Sequence, residues 1–81
     1  MPKLPRIDGR TLVRAMERDG FEVVRIKGSH FILQKKFPDG EIVTIPVPVH
    51  AGRIVKIGTL AGILRKARID RERLDTLLKR R

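Results

Sequence analysis

The sequence predicts an α+β fold in which a helix, three antiparallel strands and a second helix follow one another, with a short third helix at the C-terminal end. Apolar residues recur at three- and four-residue spacing towards both ends of the chain, as they do on one face of a helix. Between them lie three short stretches rich in Val, Ile and Phe, separated by two turn sequences. A chain of 81 residues has room for one small domain, and we expect a single domain over 1–81 with its core over about residues 6–78.

The first helix is predicted over residues 9–19. Asp8 stands before it as an N-cap, whose carboxylate can accept hydrogen bonds from the free backbone N–H groups of the first turn. Gly20 follows it at a position where a left-handed backbone conformation commonly closes a helix. The inner face of this helix is predicted to carry Leu12, Val13 and Met16.

Three strands are predicted next, over residues 21–27, 30–36 and 41–47. Gly28 and Ser29 form a two-residue connection that is typical of a tight hairpin. The second connection reads Phe-Pro-Asp-Gly over 37–40, with Pro fixing φ and Gly able to accept a positive φ. Both connections predict antiparallel pairing.

Residues near the ends of the second and third predicted strands indicate where the edges of the sheet lie. Pro46 and Pro48 have no N–H to donate to a ladder, so the third strand is predicted to lie at an edge or to stop there. Lys35 and Lys36 are interpreted as charges that protect an edge strand against aggregation rather than as RNA contacts.

Two helices are predicted after the strands. The first covers about residues 58–67, from an apolar stripe that Ile57 can begin, and packs with the opening helix on one face of the sheet. The last begins after Asp70 as N-cap and runs towards a frayed end at 79–81, with Ile69 placed to pack on Leu74 as a hydrophobic staple. The stripe of the earlier helix consists of Leu60, Ile63, Leu64 and Ala67.

The composition is strongly basic. The 19 Lys and Arg against 9 Asp and Glu give a net charge of +10, which indicates a polyanionic partner, and nucleic acid in particular. Three Phe without Trp or Tyr argue against both a membrane-binding helix and a base-stacking platform. We therefore expect the protein to recognise a nucleic acid through its shape and its phosphate groups.

Several classes of protein are disfavoured by what the sequence lacks. Cysteine is absent, which excludes disulfides, thiol nucleophiles and thiolate metal sites. There is neither an apolar run of about 20 residues nor a signal peptide pattern, so we expect a cytoplasmic protein without a membrane partner.

The candidates for proton transfer near neutral pH are the two histidines, His30 and His50. The single serine, Ser29, adjoins His30, and neighbouring strand residues point to opposite faces, so a serine nucleophile is disfavoured. No spacing typical of metal ligands occurs, and we expect neither a metal nor another cofactor. Histidines and cations can nevertheless cleave RNA, because its 2′-hydroxyl is a nucleophile that the substrate itself supplies.

Each of these positions also has a purely structural interpretation. Gly28 and Ser29 could let a ribose phosphate approach His30 closely, or they could simply make the turn beside a half-exposed strand residue. His50, after a stretch stiffened by two prolines, could be a second proton-transfer group or could cap a backbone carbonyl.

The basic residues leave similar alternatives open. Arg53 and Lys56 flank the start of the second long helix and could bind phosphate there, or form a solvated face. Arg25 and Lys27 are further phosphate-binding candidates. Five basic residues near the C-terminal end are expected to form an exposed rim for RNA or an acidic protein: Arg65, Lys66, Arg68, Arg71 and Arg73.

Four elements in register make the chain resemble the HicA family, the toxin half of HicA and HicB toxin-antitoxin pairs. The resemblance covers about residues 6–78, and the last segment, 70–81, is longer than in the shortest members. The matching elements are the opening helix leading into Asp-Gly-Phe at 19–21, Lys-Gly-Ser-His at 27–30, Thr-Ile-Pro-Val-Pro-Val-His at 44–50, and Gly-Thr-Leu at 58–60 leading through Ile63 and Leu64 into a helix.

The resemblance implies a fold similar to the double-stranded-RNA-binding domain and a metal-independent endoribonuclease that cleaves messenger RNA. It places the family's catalytic histidine on His30, and it places His50 at a position that is often histidine. It also implies neutralisation by a HicB-like antitoxin that would cover His30 and the basic surface around it, and we expect the free protein to be a monomer. The alternative hypothesis is a non-catalytic double-stranded-RNA-binding module of the same fold, in which His30 would be incidental.

Overall fold

The structure is a computed structural model, and it describes residues 3–79. It confirms the α+β class and the predicted order of elements, while residues 80–81 of the predicted frayed end lie outside the described residues. Each helix within residues 3–79 is too short or too polar to span a lipid bilayer. The elements are α1 (Gly9–Arg18), β1 (Glu22–Lys27), β2 (His30–Lys36), β3 (Ile42–Pro48), α2 (Ile57–Ala67) and α3 (Arg71–Lys79).

The three strands form one antiparallel sheet in the order β1-β2-β3, so β2 is the central strand. The hairpin between β1 and β2 is the predicted two-residue turn, and Gly28 adopts the positive φ of +60° that a type II′ turn needs at its first central position. In the second turn the N–H of Gly40 donates to the carbonyl of Phe37 at 2.8 Å. The Asp39 carboxylate accepts from the N–H of Glu41 at 2.9 Å and fixes the return into β3.

The two faces of the sheet differ sharply in burial. Leu33, Ile45 and Val47 are fully buried on the face that α1 and α2 cover, as predicted for both main helices. The opposite face, here called the open face, carries the alternate residues of each strand, beginning with His30 on β2. The fold therefore leaves one side of the sheet available to a ligand.

Local signals determine the bounds of α1. The Asp8 carboxylate accepts from the N–H of Thr11 at 2.8 Å, which confirms the N-cap. The helix ends at Arg18, one residue before the predicted end, and Gly20 takes a φ of +108° as the chain turns into β1. The predicted inner residues are buried in the core together with Ala15: Leu12, Val13 and Met16.

Lys35 and Lys36 do not protect an edge strand, and that interpretation is wrong because β2 lies in the centre of the sheet. Lys35 lies on the face covered by the helices, and its Nζ is 2.7 Å from the carbonyl oxygen and 3.1 Å from the carboxylate of Asp19. The same Nζ lies 4.8 Å from the centre of the Phe37 ring. Lys35 therefore joins the end of α1 to the sheet.

The prolines of β3 occupy an edge strand, as predicted. The N–H of Val49 donates to the Ser29 carbonyl at 2.6 Å, so residues of the same parity turn their N–H groups towards β2. Pro46 and Pro48 have the opposite parity, and their nitrogens face the outer edge of the sheet. The ladder loses no hydrogen bond, and the outer edge offers fewer donors to another strand.

Three of the five basic residues of the predicted rim form ion pairs. Arg68 ends α2 in a left-handed conformation with φ of 59°, stacks on Phe37 with its Cζ 4.1 Å from the ring centre, and pairs with Asp39 and Glu41. On α3, Arg71 pairs with Asp75 and Arg73 pairs with Asp19, at 3.4 and 3.0 Å. Arg65 and Lys66 are the exposed members of the set that form no ion pair within residues 3–79.

The ends of α2 and α3 agree closely with the sequence. α2 begins at Ile57, one residue before the predicted start. At α3, the Asp70 carboxylate accepts from the N–H of Arg73 at 2.7 Å, which confirms the predicted cap. Ile69 and Leu74 are both buried in the core, where the predicted staple would place them.

Candidate active site

His30 lies at the start of the central strand, immediately after the hairpin turn. Its register partners are Lys27 on β1 and Pro48 on β3, and the carbonyl of Ser29 just before it accepts from the N–H of Val49 at 2.6 Å. The side chain is exposed on the open face. The backbone of His30 is therefore fixed while its imidazole stays accessible to a large substrate.

The structure places His30 and His50 in the wall of one cavity. The cavity has a volume of about 510 Å³ and lies where the end of β3 meets the segment that leads into α2. Two of the predicted phosphate-binding residues, Arg53 and Lys56, line it as well. The remaining wall is formed by Pro46, Pro48, Ile54, Val55 and Thr59.

The segment that carries His50 is tied down at several points. The N–H of Arg53 donates to the His50 carbonyl at 2.9 Å and closes a turn in which Gly52 has a φ of +72°. The N–H of Val55 then donates to the carbonyl of Ile7 at 2.9 Å, next to a bridge between Asp8 and Ile54. The loop bearing His50 is thus anchored to the chain that enters α1.

Gly9 allows this anchoring at close range. A Cβ atom at Gly9 would lie 2.2 Å from the carbonyl oxygen of Pro48 and 2.8 Å from Cα of Val49. Real Cβ atoms do not approach backbone atoms so closely, so a larger residue would push the two segments apart. The start of α1 and the residues before His50 are in contact because residue 9 has no side chain.

Neither histidine side chain makes a hydrogen bond to another group of the described chain, residues 3–79. The structural alternative for His50, a cap on a backbone carbonyl, is therefore not realised there. Both imidazoles are exposed and accessible to a ligand.

The start of α2 adds positive potential to the cavity. Lys56 occupies the N-cap position without a side-chain hydrogen bond to the helix, and the first turn contains no acidic residue. The free N–H groups and the helix dipole therefore point positive charge at the cavity wall, where Lys56 and Thr59 lie. This is a favourable place for a phosphate group.

The other predicted ligand-binding residues do not line the cavity. Lys27 pairs with His30 in the ladder and Arg25 pairs with Ile32, so both side chains belong to the open face. Gly28 and Ser29 form the turn at its rim. The site is therefore a cavity with a basic approach across the sheet, and the individual roles of these residues remain predictions.

Part of the cavity wall was not predicted from the sequence. The sequence assigns Pro46 and Pro48 to a strand edge and to the stiffening of the backbone before His50, and it gives no site role to Ile54, Val55 or Thr59. For Thr59 a signal existed, because a helix start without a capping side chain exposes its first turn. Within residues 3–79 no group of three or more His, Asp and Glu side chains could hold a metal ion.

The fold and the cavity together define a small α+β protein with acid–base and cationic groups suited to a polyanion. A family model described as the HicA toxin of bacterial toxin-antitoxin matches residues 9–69, which is more than half of the chain. The chain belongs to the HicA toxin family, and it is therefore the toxin component of a toxin-antitoxin system, a role that implies an antitoxin partner and an RNA substrate. No curated protein matched the chain. The matched segment ends before α3.

Proposed function

We propose that this toxin is a metal-independent endoribonuclease in which His30 transfers a proton while the 2′-hydroxyl of the RNA attacks the neighbouring phosphorus. The observation that carries the proposal is the placement of exposed His30 in one cavity with His50, Arg53 and Lys56. Because RNA supplies its own nucleophile, the protein has to provide only proton transfer and positive charge. This cavity offers both.

The reaction can be followed atom by atom. His30 accepts the 2′-hydroxyl proton, and the 2′-oxygen forms a bond to phosphorus while the bond from phosphorus to the 5′-oxygen breaks. An acid, for which His50 is the candidate, protonates the departing 5′-oxygen. The products are a 2′,3′-cyclic phosphate and a 5′-hydroxyl, and each proton transfer contributes typically about 10² to 10⁴ in rate.

The developing negative charge lies on the phosphate oxygens. Arg53 and Lys56 on the cavity wall, with the uncapped start of α2, are placed to stabilise it. A volume of about 510 Å³ lies within the usual range of about 300 to 1,000 Å³ for small-ligand sites. We propose that these groups bind the phosphate at which cleavage occurs. Arg25 and Lys27 would bind the neighbouring phosphates along the RNA strand.

The chemistry is tested by incubating the purified protein with end-labelled RNA in the presence of EDTA. We expect cleavage to continue, to leave a 2′,3′-cyclic phosphate, and to fail on the DNA and 2′-O-methyl versions of the same sequence. Loss of activity with the chelator, or a product ending in a 3′-hydroxyl, would show a metal-dependent mechanism instead.

The same experiment separates the alternative, a non-catalytic double-stranded-RNA-binding module, for which a net charge of +10 is equally suitable. A binding module would retard RNA in a gel and leave its length unchanged. The nuclease shortens it.

The antitoxin is proposed to be HicB-like and to cover the cavity. Ile54 and Ile57 are 48% and 45% exposed beside cationic Lys56, which gives the cavity an apolar and basic margin. An acidic partner with an apolar anchor fits such a margin. One interface would then both bind the toxin and exclude its substrate.

A further inference from the structure

The open face of the sheet continues from the cavity, and no element within residues 3–79 covers it. Along β2 it presents His30, Ile32, Gln34 and Lys36, which alternate with residues of the buried face. The helices pack on the other side, against Leu33 and Ile45. Any ligand whose reacting group lies at His30 can therefore extend along this strand.

Gln34 and Thr44 form a polar pair on this face. They are direct partners across β2 and β3, and the Gln34 Nε2 donates to the Thr44 Oγ1 at 3.1 Å. Within residues 3–79, the Gln34 Oε1 and the Thr44 hydroxyl hydrogen have no protein partner. The pair thus offers an acceptor and a donor side by side, the combination with which amide side chains read the edge of a base.

The charges of the open face match an RNA strand. Arg25 and Lys27 lie on it along β1, with Lys27 opposite His30, and Lys36 lies at its far end on β2, all exposed. Glu22, opposite Gln34 on β1, places a carboxylate at one corner. That carboxylate disfavours a phosphate there and leaves the position over Gln34 to a base.

The distance from the cavity determines which nucleotide the pair would meet. Gln34 is four residues from His30 along an extended strand, or about 13 Å. Ile32 and its partner Pro46 form an apolar floor between them. The pair is therefore too far to contact the reacting phosphate and would meet a nucleotide outside the cleaved bond.

We propose that the open face binds a single-stranded segment of the RNA substrate and that Gln34 and Thr44 read one of its bases, which makes them specificity-determining residues. The inference rests on the proposed ribonuclease function and adds the path of the substrate. An unpaired strand is required because the Watson–Crick edges of a duplex are already paired, the deep groove of RNA is closed to side chains, and its shallow groove is recognised mostly by shape.

The test maps cleavage sites in a pool of random single-stranded RNA for the unchanged protein, Gln34→Ala, Thr44→Val and the control Thr76→Val. Thr76 is an exposed threonine on α3, away from the sheet. We expect a base preference at one position outside the cleaved bond, lowered about tenfold in the first two variants and retained in the control. A dinucleotide substrate, which is too short to reach the pair, should be cut by all four proteins within about twofold of one another.

The possible outcomes distinguish the two proposals. If the dinucleotide is cut but Gln34→Ala and Thr44→Val keep the unchanged preference, or if duplex RNA is cut as well as single strands, the base-reading inference is overturned and the ribonuclease stands. If the unchanged protein cuts no RNA, both fail. Melting curves of the variants show whether a lost preference has come from lost structure.

Discussion

His30 and His50 reach the cavity in different ways. His30 belongs to the central strand, where it pairs with Lys27 on β1 and lies opposite Pro48 on β3. His50 stands in a short turn after β3 that is closed by the hydrogen bond from Arg53. The first is positioned by the sheet and the second by its loop, so the two can be altered independently.

His50 is expected to act as the acid that protonates the leaving 5′-oxygen. His50→Ala should then lower the rate of RNA cleavage by about 10² to 10⁴, with little change in melting temperature because the side chain is exposed. The difference in cleavage rate between the unchanged protein and His50→Ala should shrink for an RNA in which sulfur replaces the bridging 5′-oxygen, since a thiolate leaves without protonation. Unchanged cleavage of normal RNA by this variant would remove His50 from the mechanism.

Asp8 makes the stability of α1 depend on pH. Hydrogen bonding from the side chain and the backbone N–H of Thr11 holds the pKa of Asp8 below its ordinary value of 3.8. Because the folded pKa is lowered, this stabilisation is present above pH 3.8 and is lost as the pH falls through the folded pKa.

Asp8→Ala should therefore lower the free energy of unfolding by about 1 kcal/mol at pH 7. The gap between the two proteins should narrow once the pH falls below about 4. Urea denaturation of both proteins at pH 7 and at several pH values below 4 measures this difference in the free energy of unfolding. A gap that stayed constant down to the lowest pH would mean that the carboxylate charge does not contribute to the cap.

At the scale of the elements, Gly9 brings the backbone of α1 into close contact with the end of β3. A Cβ atom there would overlap backbone atoms of Pro48 and Val49, which directly precede His50. The contact between the two elements therefore supports the fold and also the position of the cavity wall.

Gly9→Ala should lower the melting temperature and slow RNA cleavage, because the start of α1 and the residues before His50 must move apart. Gly62→Ala in α2 is the matched control, since its Cβ would meet no atom within 4 Å. That change should raise the free energy of unfolding by about 0.5 to 1 kcal/mol, as glycine is a poor residue within a helix. A Gly9→Ala protein as stable and active as the control would contradict the close-contact argument.

The elements themselves could be predicted within about a residue because their signals are local. The caps at Asp8 and Asp70 and the turn at Gly28 each act through hydrogen bonds or dihedral angles of adjacent residues. No short sequence pattern indicates the role of Lys35, because its partner, Asp19, is distant in sequence and becomes a neighbour only when α1 covers the sheet. Strand pairing and the packing of helices on the sheet join residues that are distant in sequence, so a short sequence pattern cannot predict them.

At the scale of the whole molecule, positive charge is divided between structural and accessible groups. Arg68, Arg71 and Arg73 form ion pairs, whereas Arg53 and Lys56 line the cavity. The sequence indicated a basic protein with two candidate histidines. It could not indicate that residues 20 apart, His30 and His50, share one cavity, since that depends on where β3 ends and how the next loop returns.

The location of the antitoxin can be tested at the margin of the cavity. Ile57→Ser should weaken binding of the proposed HicB-like antitoxin, because it removes exposed apolar surface beside the cavity. Ile42→Ser is the matched control, since Ile42 is 57% exposed at the opposite end of β3. Equal affinities of the two variants for the antitoxin, measured by calorimetry, would show that the partner binds elsewhere.

The most direct test of the account is the rate of RNA cleavage by His30→Ala, measured beside its melting curve. We predict a loss of about 10² to 10⁴ in rate with an unchanged melting temperature, because the imidazole is exposed and bonds to no group of the described chain. Cleavage at the rate of the unaltered protein by a folded His30→Ala variant would contradict the assignment of this cavity as the active site.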